Sequence, residues 1–539
     1  MWRIDDPQGN ESQKVKYDVV PYVRGRLLDI GCGPFKNFPY AIGVDNLDHY
    51  KFGWQFKPDV ISDSSNLSMF ANESFDSVFS SHTLEHLEDT EKHLKEWWRV
   101  IKNGGYLVLY LPHKDLYPQI GQTGSNPDHK YDFLPEDIIK IADKLNGPWD
   151  LVVNEKRDTD FGPGSPLNEY SFLQVYQKGV GVSKSFSCEN KKPEKTAYVC
   201  RFGGFGDMIQ ASSILPELKK QGYHVVFNTT PDGESILRHD PNIGEFLLQD
   251  KDQVPNEELG QYWEVMKRKY TKFVNLSESV EGSLLALPGR LHHQWSKSAR
   301  HKMMNHNYLE MTHAIAEVPE TFHPHFYPSE EEKKWAKKER EKMDGNLIVC
   351  FSVNGSSVHK AWPYLDVIVA RLLLTFPDCR IILLGNKMSQ ILETGWEKEP
   401  RVLRRCGIWT IRETLTFCCE QSDLVIGPET GVLNAVGMES VAKVCFLSHS
   451  TKENLTKHWI NTIAIEPPAS VKCAPCHLLH YSWEHCHELK EMKDGKEIGT
   501  GVAICQAAIP ADVAWVSILG LLKKTHQLEK SPPLREAHA

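Results

Sequence analysis

Two glycine-bearing turns, each preceded by a short apolar run, dictate most of what this chain can fold into. Leu27-Leu28-Asp29-Ile30-Gly31-Cys32-Gly33 is followed closely by Ile42-Gly43-Val44-Asp45. Far downstream, Arg201-Phe202-Gly203-Gly204-Phe205-Gly206-Asp207 is answered by Ile426-Gly427-Pro428-Glu429-Thr430-Gly431. A strand that enters a tight turn and then a helix needs residues free to take positive φ, and the helix N-terminus beyond offers unpaired N–H groups to an anion. Neither turn repeats the other, so the sequence predicts two separate ligand sites.

A chain of 539 residues is too long for one ordinary domain, and two or three are expected. With 40% hydrophobic and 25% charged residues, it has the composition of a soluble globular protein. A formal net charge of -9 argues against a broad nucleic-acid footprint, though not against a local basic patch. No apolar run is long enough to span a bilayer, and the polar stretch Met1 to Lys16 lacks a signal-peptide core. The expected location is therefore the cytoplasm. The 13 cysteines are odd in number and mostly scattered through apolar segments, as reduced buried thiols would be.

Short apolar runs alternate with helical periodicity throughout, which predicts an α/β fold with parallel sheets. From Arg26 to about Tyr176 the pattern describes a first domain, bounded at 1–180. Within it, Thr90 is the expected cap of a helix with Leu94, Trp97, Trp98 and Ile101 on one face. Asn103-Gly104-Gly105 is expected to end that helix before a buried strand from Tyr106 to Leu111. The polar stretch 181–195 is the linker candidate. A second α/β unit is expected over 196–344 and a third over 345–525, followed by a tail at 526–539 without apolar periodicity. The charged run Ser329 to Asp344 between the last two units is expected to be a solvated helix.

In the first domain, Gly31-Cys32-Gly33 alone is a weak signal, because many strand-turn-helix units need such glycines. Asp45, ending the next strand, strengthens it, since a carboxylate there can accept both ribose hydroxyls. With Phe75-Asp76-Ser77-Val78-Phe79-Ser80-Ser81-His82-Thr83-Leu84-Glu85-His86-Leu87, this set resembles the class I S-adenosylmethionine-dependent methyltransferases over residues 20 to 178. The resemblance implies a Rossmann-like domain with Asp29, Gly31 and Gly33 around the methionine end of the cofactor and Asp45 on its ribose. It also implies Asp63 near the adenine amino group and His82 among the cofactor-binding residues. A dinucleotide dehydrogenase is disfavoured, because Lys36 stands where a third glycine is needed. Methylating a hydroxyl benefits from a base of near-neutral pKa, so His82, His86, His113 and His129 are candidates. His129, in the polar loop Asn126 to Asp132, is the one chosen as catalytic, and a packing role is the alternative for each.

In the later units, Asp207 falls in the first turn of a helix, where the dipole favours a carboxylate. Val353-Asn354-Gly355-Ser356-Ser357-Val358-His359-Lys360 then offers hydroxyls and an ammonium suited to a diphosphate. With Glu429-Thr430-Gly431-Val432-Leu433-Asn434, these residues resemble the heptosyltransferase-like family nine glycosyltransferases, over residues 196 to 525. The resemblance implies a two-lobed GT-B fold and inverting, metal-independent transfer from a nucleotide-diphosphate sugar. Asp207 would be the general base, Ser356, Ser357 and Lys360 would hold the diphosphate, and Glu429, Thr430, Gly431 and Asn434 would lie near the donor. The chain departs from the family at Glu429, where Asp is usual, and at Asn434, where His is usual.

Cys473 and Cys476 form a CxxC, followed by Cys486 and Cys505 with histidines interspersed. A tetrahedral structural zinc is one reading, and free thiols or a local disulfide are the others. Taken together, the sequence predicts a bifunctional methyltransferase and glycosyltransferase acting on a glycan or glycoconjugate. The alternatives are one active domain beside a binding domain, or a nucleic-acid-modifying enzyme.

Overall fold

The computed structural model describes residues 11–33, 36–46, 58–158, 169–179, 194–355, 360–480, 486 and 488–525. Ser356, Ser357, most of the expected linker and the tail lie outside the described residues. The chain divides into two compact units, Met1–Glu194 with Leu248–Lys269, and Lys195–Leu247 with Tyr270–Ala539.

In the first unit, β1 (Leu27–Ile30), β2 (Ile42–Asp45), β3 (Val60–Ile61), β4 (Phe75–Ser81), β5 (Ile101–Pro112), β6 (Trp149–Arg157) and β7 (Ser171–Lys178) form one sheet. Its order is β3-β2-β1-β4-β5-β7-β6. The strands from β3 to β5 are parallel, and β7 runs antiparallel to both β5 and β6. The chain reverses its direction of travel across the sheet between β1 and β4, so a crevice opens beyond their C-terminal ends. That edge carries the Gly31 turn, Asp45 and His82. Helix α1 (Thr90–Val100) buries Leu94, Trp97 and Trp98, and α2 (Pro135–Ala142) buries Ile138 and Ile139.

Two local expectations fail here. Asp89, not Thr90, caps α1, its carboxylate accepting from the Lys92 N–H at 3.1 Å. Asn103-Gly104-Gly105 does not end the helix; it lies inside β5, which begins at Ile101 directly after Val100. The glycines mark a shift of register between the Phe75–Ile101 and Ser77–Tyr106 pairs, where a Cβ on Gly105 would lie 2.5 Å from the Asp76 carbonyl oxygen. A bulge that brings two backbones together needs glycine as much as a helix end does.

The second unit has two parallel sheets. The first, ordered β10-β9-β8-β11, takes β8 (Thr196–Cys200), β9 (His224–Thr229), β10 (Glu245–Leu248) and β11 (Lys272–Asn275). Between and after these strands come α3 (Phe205–Ser212), α4 (Leu215–Lys220), α5 (Pro231–Leu237), α6 (Leu259–Lys269, which belongs to the first unit), α7 (Ser279–Ser283), α8 (Lys297–Met304) and α9 (Tyr308–Ala316). α3 and α4 are separate helices, because Pro216 can occupy only a first turn. The charged run forms α10 (Glu330–Glu341), capped by Ser329 with only Ala336 buried.

The second sheet, β14-β13-β12-β15-β16-β17, is built from β12 (Leu347–Ser352), β13 (Cys379–Leu384), β14 (Val402–Arg404), β15 (Leu424–Pro428), β16 (Ala442–Phe446) and β17 (Thr462–Ile465). Its helices are α11 (Leu365–Thr375), α12 (Ile411–Glu420) and α13 (Gly431–Val436), with β18 (Glu488–Lys493), β19 (Lys496–Ala503), α14 (Ile504–Ala507) and α15 (Ala511–Lys524) completing the chain. Every residue of β12 and β15 is buried, as expected of central parallel strands covered on both faces. Two Rossmann-like lobes in one unit are the architecture that the sequence predicts.

Candidate functional sites

At the crevice of the first sheet, Gly31 and Gly33 both take left-handed backbone, with φ of 70° and 58°. A Cβ on Gly31 would lie 2.0 Å from the Thr83 Oγ1, whereas one on Gly33 would meet nothing within 4 Å. Gly31 therefore lets the turn pack on the segment after β4, and Gly33 leaves open space above it. The Gly33 N–H donates to Asp45 Oδ2 at 3.1 Å, fixing that carboxylate beside the turn. Asp29 is buried on β1; burial pushes its carboxyl up to about 7, with the Lys36 ammonium opposing and Asp45 adding to the rise. An incoming cation would reverse that shift. Asp63 lies beyond β3 with its side chain 66% exposed, held below the usual carboxylate range by the Ser65 N–H.

Three of the four candidate histidines converge on one residue that the sequence reading had not singled out. His82 Nδ1 lies 3.7 Å from Glu85 Oε1, and the Nε2 atoms of His86 and His129 each lie 3.9 Å from the same oxygen. His113 stands apart, its Nδ1 accepting from the Asp115 N–H at 3.1 Å. Glu85 is fully buried, and neither carboxylate oxygen has a hydrogen-bond partner. Burial pushes its carboxyl up to about 8 and drives the His82 imidazole down to about 3. Burial also lowers His86 and His129, so these rings are neutral at physiological pH. The available signal was the spacing of His82, Glu85 and His86 within five residues.

In the second unit, Asp207 occupies the third position of α3, where Oδ2 accepts from the Gly204 N–H at 2.7 Å. Its Oδ1 lies 3.2 Å from Nη2 of the buried Arg201, and the side chain is 27% exposed. The N-terminus of α13 meets that of α3: a Cβ on Gly431 would lie 3.0 Å from the Gly206 nitrogen. Asn434 joins the same two helices by accepting from Gln210 Nε2 at 3.1 Å. Thr430 caps α13 through the Leu433 N–H at 3.3 Å. Lys360 donates to the Glu429 carbonyl oxygen at 3.0 Å, and burial lowers its pKa.

The Glu429 carboxylate is turned to another task. It accepts from the Ser448 N–H at 2.8 Å, the Ser448 hydroxyl at 3.0 Å and the Ser450 hydroxyl at 2.5 Å, and it pairs with His449 Nδ1 at 2.6 Å. Burial alone would raise its pKa, yet His449, Lys360 and Ser450 hold it well below the usual carboxylate range. The Glu429 side chain thus anchors the 448–450 loop.

Residues 28–109 match a family profile described as a methyltransferase domain. Over 160 residues the chain is 30% identical to the demethylmenaquinone methyltransferase of Renibacterium salmoninarum, covering 25% of this chain and 68% of that protein. The chain belongs to the methyltransferase-domain family. Solved structures similar to this methyltransferase-family chain include a SAM-dependent methyltransferase from Archaeoglobus fulgidus, at 19% identity, a TM-score of 0.24, and coverage of 31% of this chain and 94% of that one. A family 9 glycosyl transferase from Veillonella parvula is also similar, at 14% identity and a TM-score of 0.44, covering 61% of this chain and 98% of that one.

Of the cysteines expected to hold zinc in this methyltransferase-family chain, Cys473, Cys476, Cys486 and Cys505 all line one cavity of about 370 Å³ in the second unit. Lys297, Arg300, Lys360 and Lys472 share its wall. The twelve described cysteines are all free thiols. Among the described residues, the set of three or more His, Cys, Asp or Glu ligand atoms lying within 4.8 Å of one another is at Glu85, His86 and His129, not at these sulfurs.

Proposed function

We propose that the chain is a bifunctional group-transfer enzyme. Its first unit moves a methyl group from S-adenosylmethionine to a hydroxyl acceptor. Its second moves a sugar from a nucleotide-diphosphate donor to a glycan or glycoconjugate, with inversion and without a catalytic metal. The observation that carries the methyl half is the gathering of Asp29, Gly31, Gly33 and Asp45 at one sheet edge, under the open space above Gly33. Asp29 would meet the methionine ammonium, Asp45 the ribose hydroxyls and Asp63 the adenine amino group. His82 would lie among the cofactor-binding residues, and His129 would line the acceptor end as the group that takes the hydroxyl proton.

In the second unit, Asp207 would take the acceptor hydroxyl proton as that oxygen bonds the anomeric carbon and the nucleoside diphosphate departs with the electrons of the broken bond. Ser356, Ser357 and Lys360 would hold the diphosphate, with Thr430 and Gly431 presenting α13 N–H groups to it. The meeting of the α3 and α13 N-termini supports this reading. The Arg201–Asp207 pair favours a second one, in which this unit binds its donor without transfer, because the carboxylate is already engaged by a guanidinium and by the Gly204 N–H.

Asp207→Asn separates the two, since the amide oxygen can still accept from the Gly204 N–H. The full chain incubated with S-adenosylmethionine, a panel of nucleotide sugars and glycan acceptors is followed by mass spectrometry. Transfer predicts a product bearing both groups, and loss of the sugar alone in Asp207→Asn with donor affinity kept. Undiminished sugar transfer by the variant would remove Asp207 from the mechanism, and a wild-type product never methylated would refute the shared acceptor.

A further inference from the structure

We propose that Glu85, His86 and His129 form a binding site for one divalent transition-metal cation beside the methyl-donor cleft, with the His82 Nδ1 facing it as a further nitrogen donor. The location rests on the methyltransferase reading; the cation site itself does not. The three ligand atoms lie within 4.8 Å of one another. Ligands held about 2.0–2.2 Å from a common ion lie roughly 3–4.4 Å apart, so the 3.9 Å separations of both Nε2 atoms from Glu85 Oε1 already fit. Two imidazoles and one carboxylate suit a borderline cation such as Zn²⁺, Co²⁺ or Mn²⁺ better than Ca²⁺, which takes oxygen ligands.

An independent observation points the same way. The Glu85 side chain has no exposed surface, and neither carboxylate oxygen has a hydrogen-bond partner, an expensive state for a buried polar group. What faces it is ring nitrogen from three histidines at 3.7–3.9 Å, and Lys14, the ammonium acting on His82, is paired with Glu11 at 2.7 Å. A cation would satisfy the carboxylate and both rings at once.

The supporting shell is in place. The Asp128 backbone faces the His86 imidazole, where metal-ligating histidines commonly carry a supporting partner. The Lys130 N–H donates to the Glu85 carbonyl oxygen at 2.7 Å, latching the loop that carries His129 to the turn that carries Glu85 and His86. Ser171 Oγ, 2.9 Å from His82 Nε2, turns the other ring nitrogen toward Glu85. Thr83, in the same turn, packs against Gly31, so a bound cation would sit next to the donor cleft and could take an oxygen of the acceptor as its exchangeable ligand.

The test uses the full chain stripped with a chelator, in a background where Cys473, Cys476, Cys486 and Cys505 are serine so that no thiol site contributes. Zn²⁺ and Co²⁺ are titrated by calorimetry and absorption, and S-adenosylmethionine affinity is measured on the same samples. The expected result is one cation per chain, with Co²⁺ spectra free of thiolate bands and binding weakened by at least ~100-fold in Glu85→Gln and in His129→Gln. His129→Gln, in a loop, serves if the buried Glu85→Gln does not fold. No bound cation, or unchanged stoichiometry and affinity in the variants, would overturn the proposal. Cation binding without S-adenosylmethionine binding would instead refute the donor reading and leave the cation site standing.

Discussion

At Gly31 and Gly33 one residue type answers two different demands. Both need left-handed backbone, which costs an alanine roughly 1–2 kcal/mol, but only Gly31 also needs the absence of a Cβ against Thr83. Gly31→Ala is therefore expected to lower the denaturant midpoint of the first unit more than Gly33→Ala does; equal midpoints would show that the Thr83 contact is unimportant. Asp29 adds a pH dependence. In the unliganded protein burial pushes its carboxyl up to about 7, and an ammonium brought against it, as in the proposed cofactor site, would lower that value, so that binding S-adenosylmethionine would expel a proton below neutrality. Affinity should climb as pH rises through about 7 and flatten above, while Asp29→Asn should bind more weakly and without that slope. Calorimetry across the range checks it. Asp29, Gly31, Gly33 and Asp45 were legible because a turn and its neighbouring strand are encoded within about 20 residues. Glu85 was not singled out, since its meaning depends on His129, which reaches it across more than 40 residues of chain.

Among the elements, strands buried on both faces, as β12 and β15 are, are legible in the sequence because their apolar runs are too short for a helix and are bounded by turn residues. The boundary between α1 and β5 was misplaced because Gly104-Gly105 marks a helix end and a bulge equally well in one dimension. Only the approach of the Asp76 carbonyl decides between them. The charged helix α10 was foreseen as solvated, but its partner was not. Arg412, on α12, is nearly buried and pairs with Glu332 on α10 at 2.5 Å and 2.7 Å. It also donates to the carbonyls of Ser235, Ile236 and Tyr327. Arg412→Ala leaves the Glu332 carboxylate and three carbonyls short of a donor, and a loss of about 3–5 kcal/mol is expected. A melting curve should show the second unit destabilised, with S-adenosylmethionine affinity unchanged. A shift below about 1 kcal/mol would mean that water replaces the guanidinium.

For the whole molecule, two compact units each carry a glycine turn at a strand edge where the sheet order reverses, and that is where open α/β folds bind ligands. The two glycine turns are legible in the sequence because each follows directly on its own apolar strand. The Glu429 hub was not, since its partners Ser448, His449 and Ser450 carry no signature. The claim that organises the account is that one chain holds two independent donors. A ligand present at 100 times its Kd stabilises the folded state by about 2.7 kcal/mol, so melting curves with S-adenosylmethionine and a panel of nucleotide sugars read both sites at once. Each donor should raise the melting temperature, with Asp45→Ala abolishing the S-adenosylmethionine shift and leaving the sugar-nucleotide shift intact. No shift with S-adenosylmethionine, or none with any nucleotide sugar, would contradict the account.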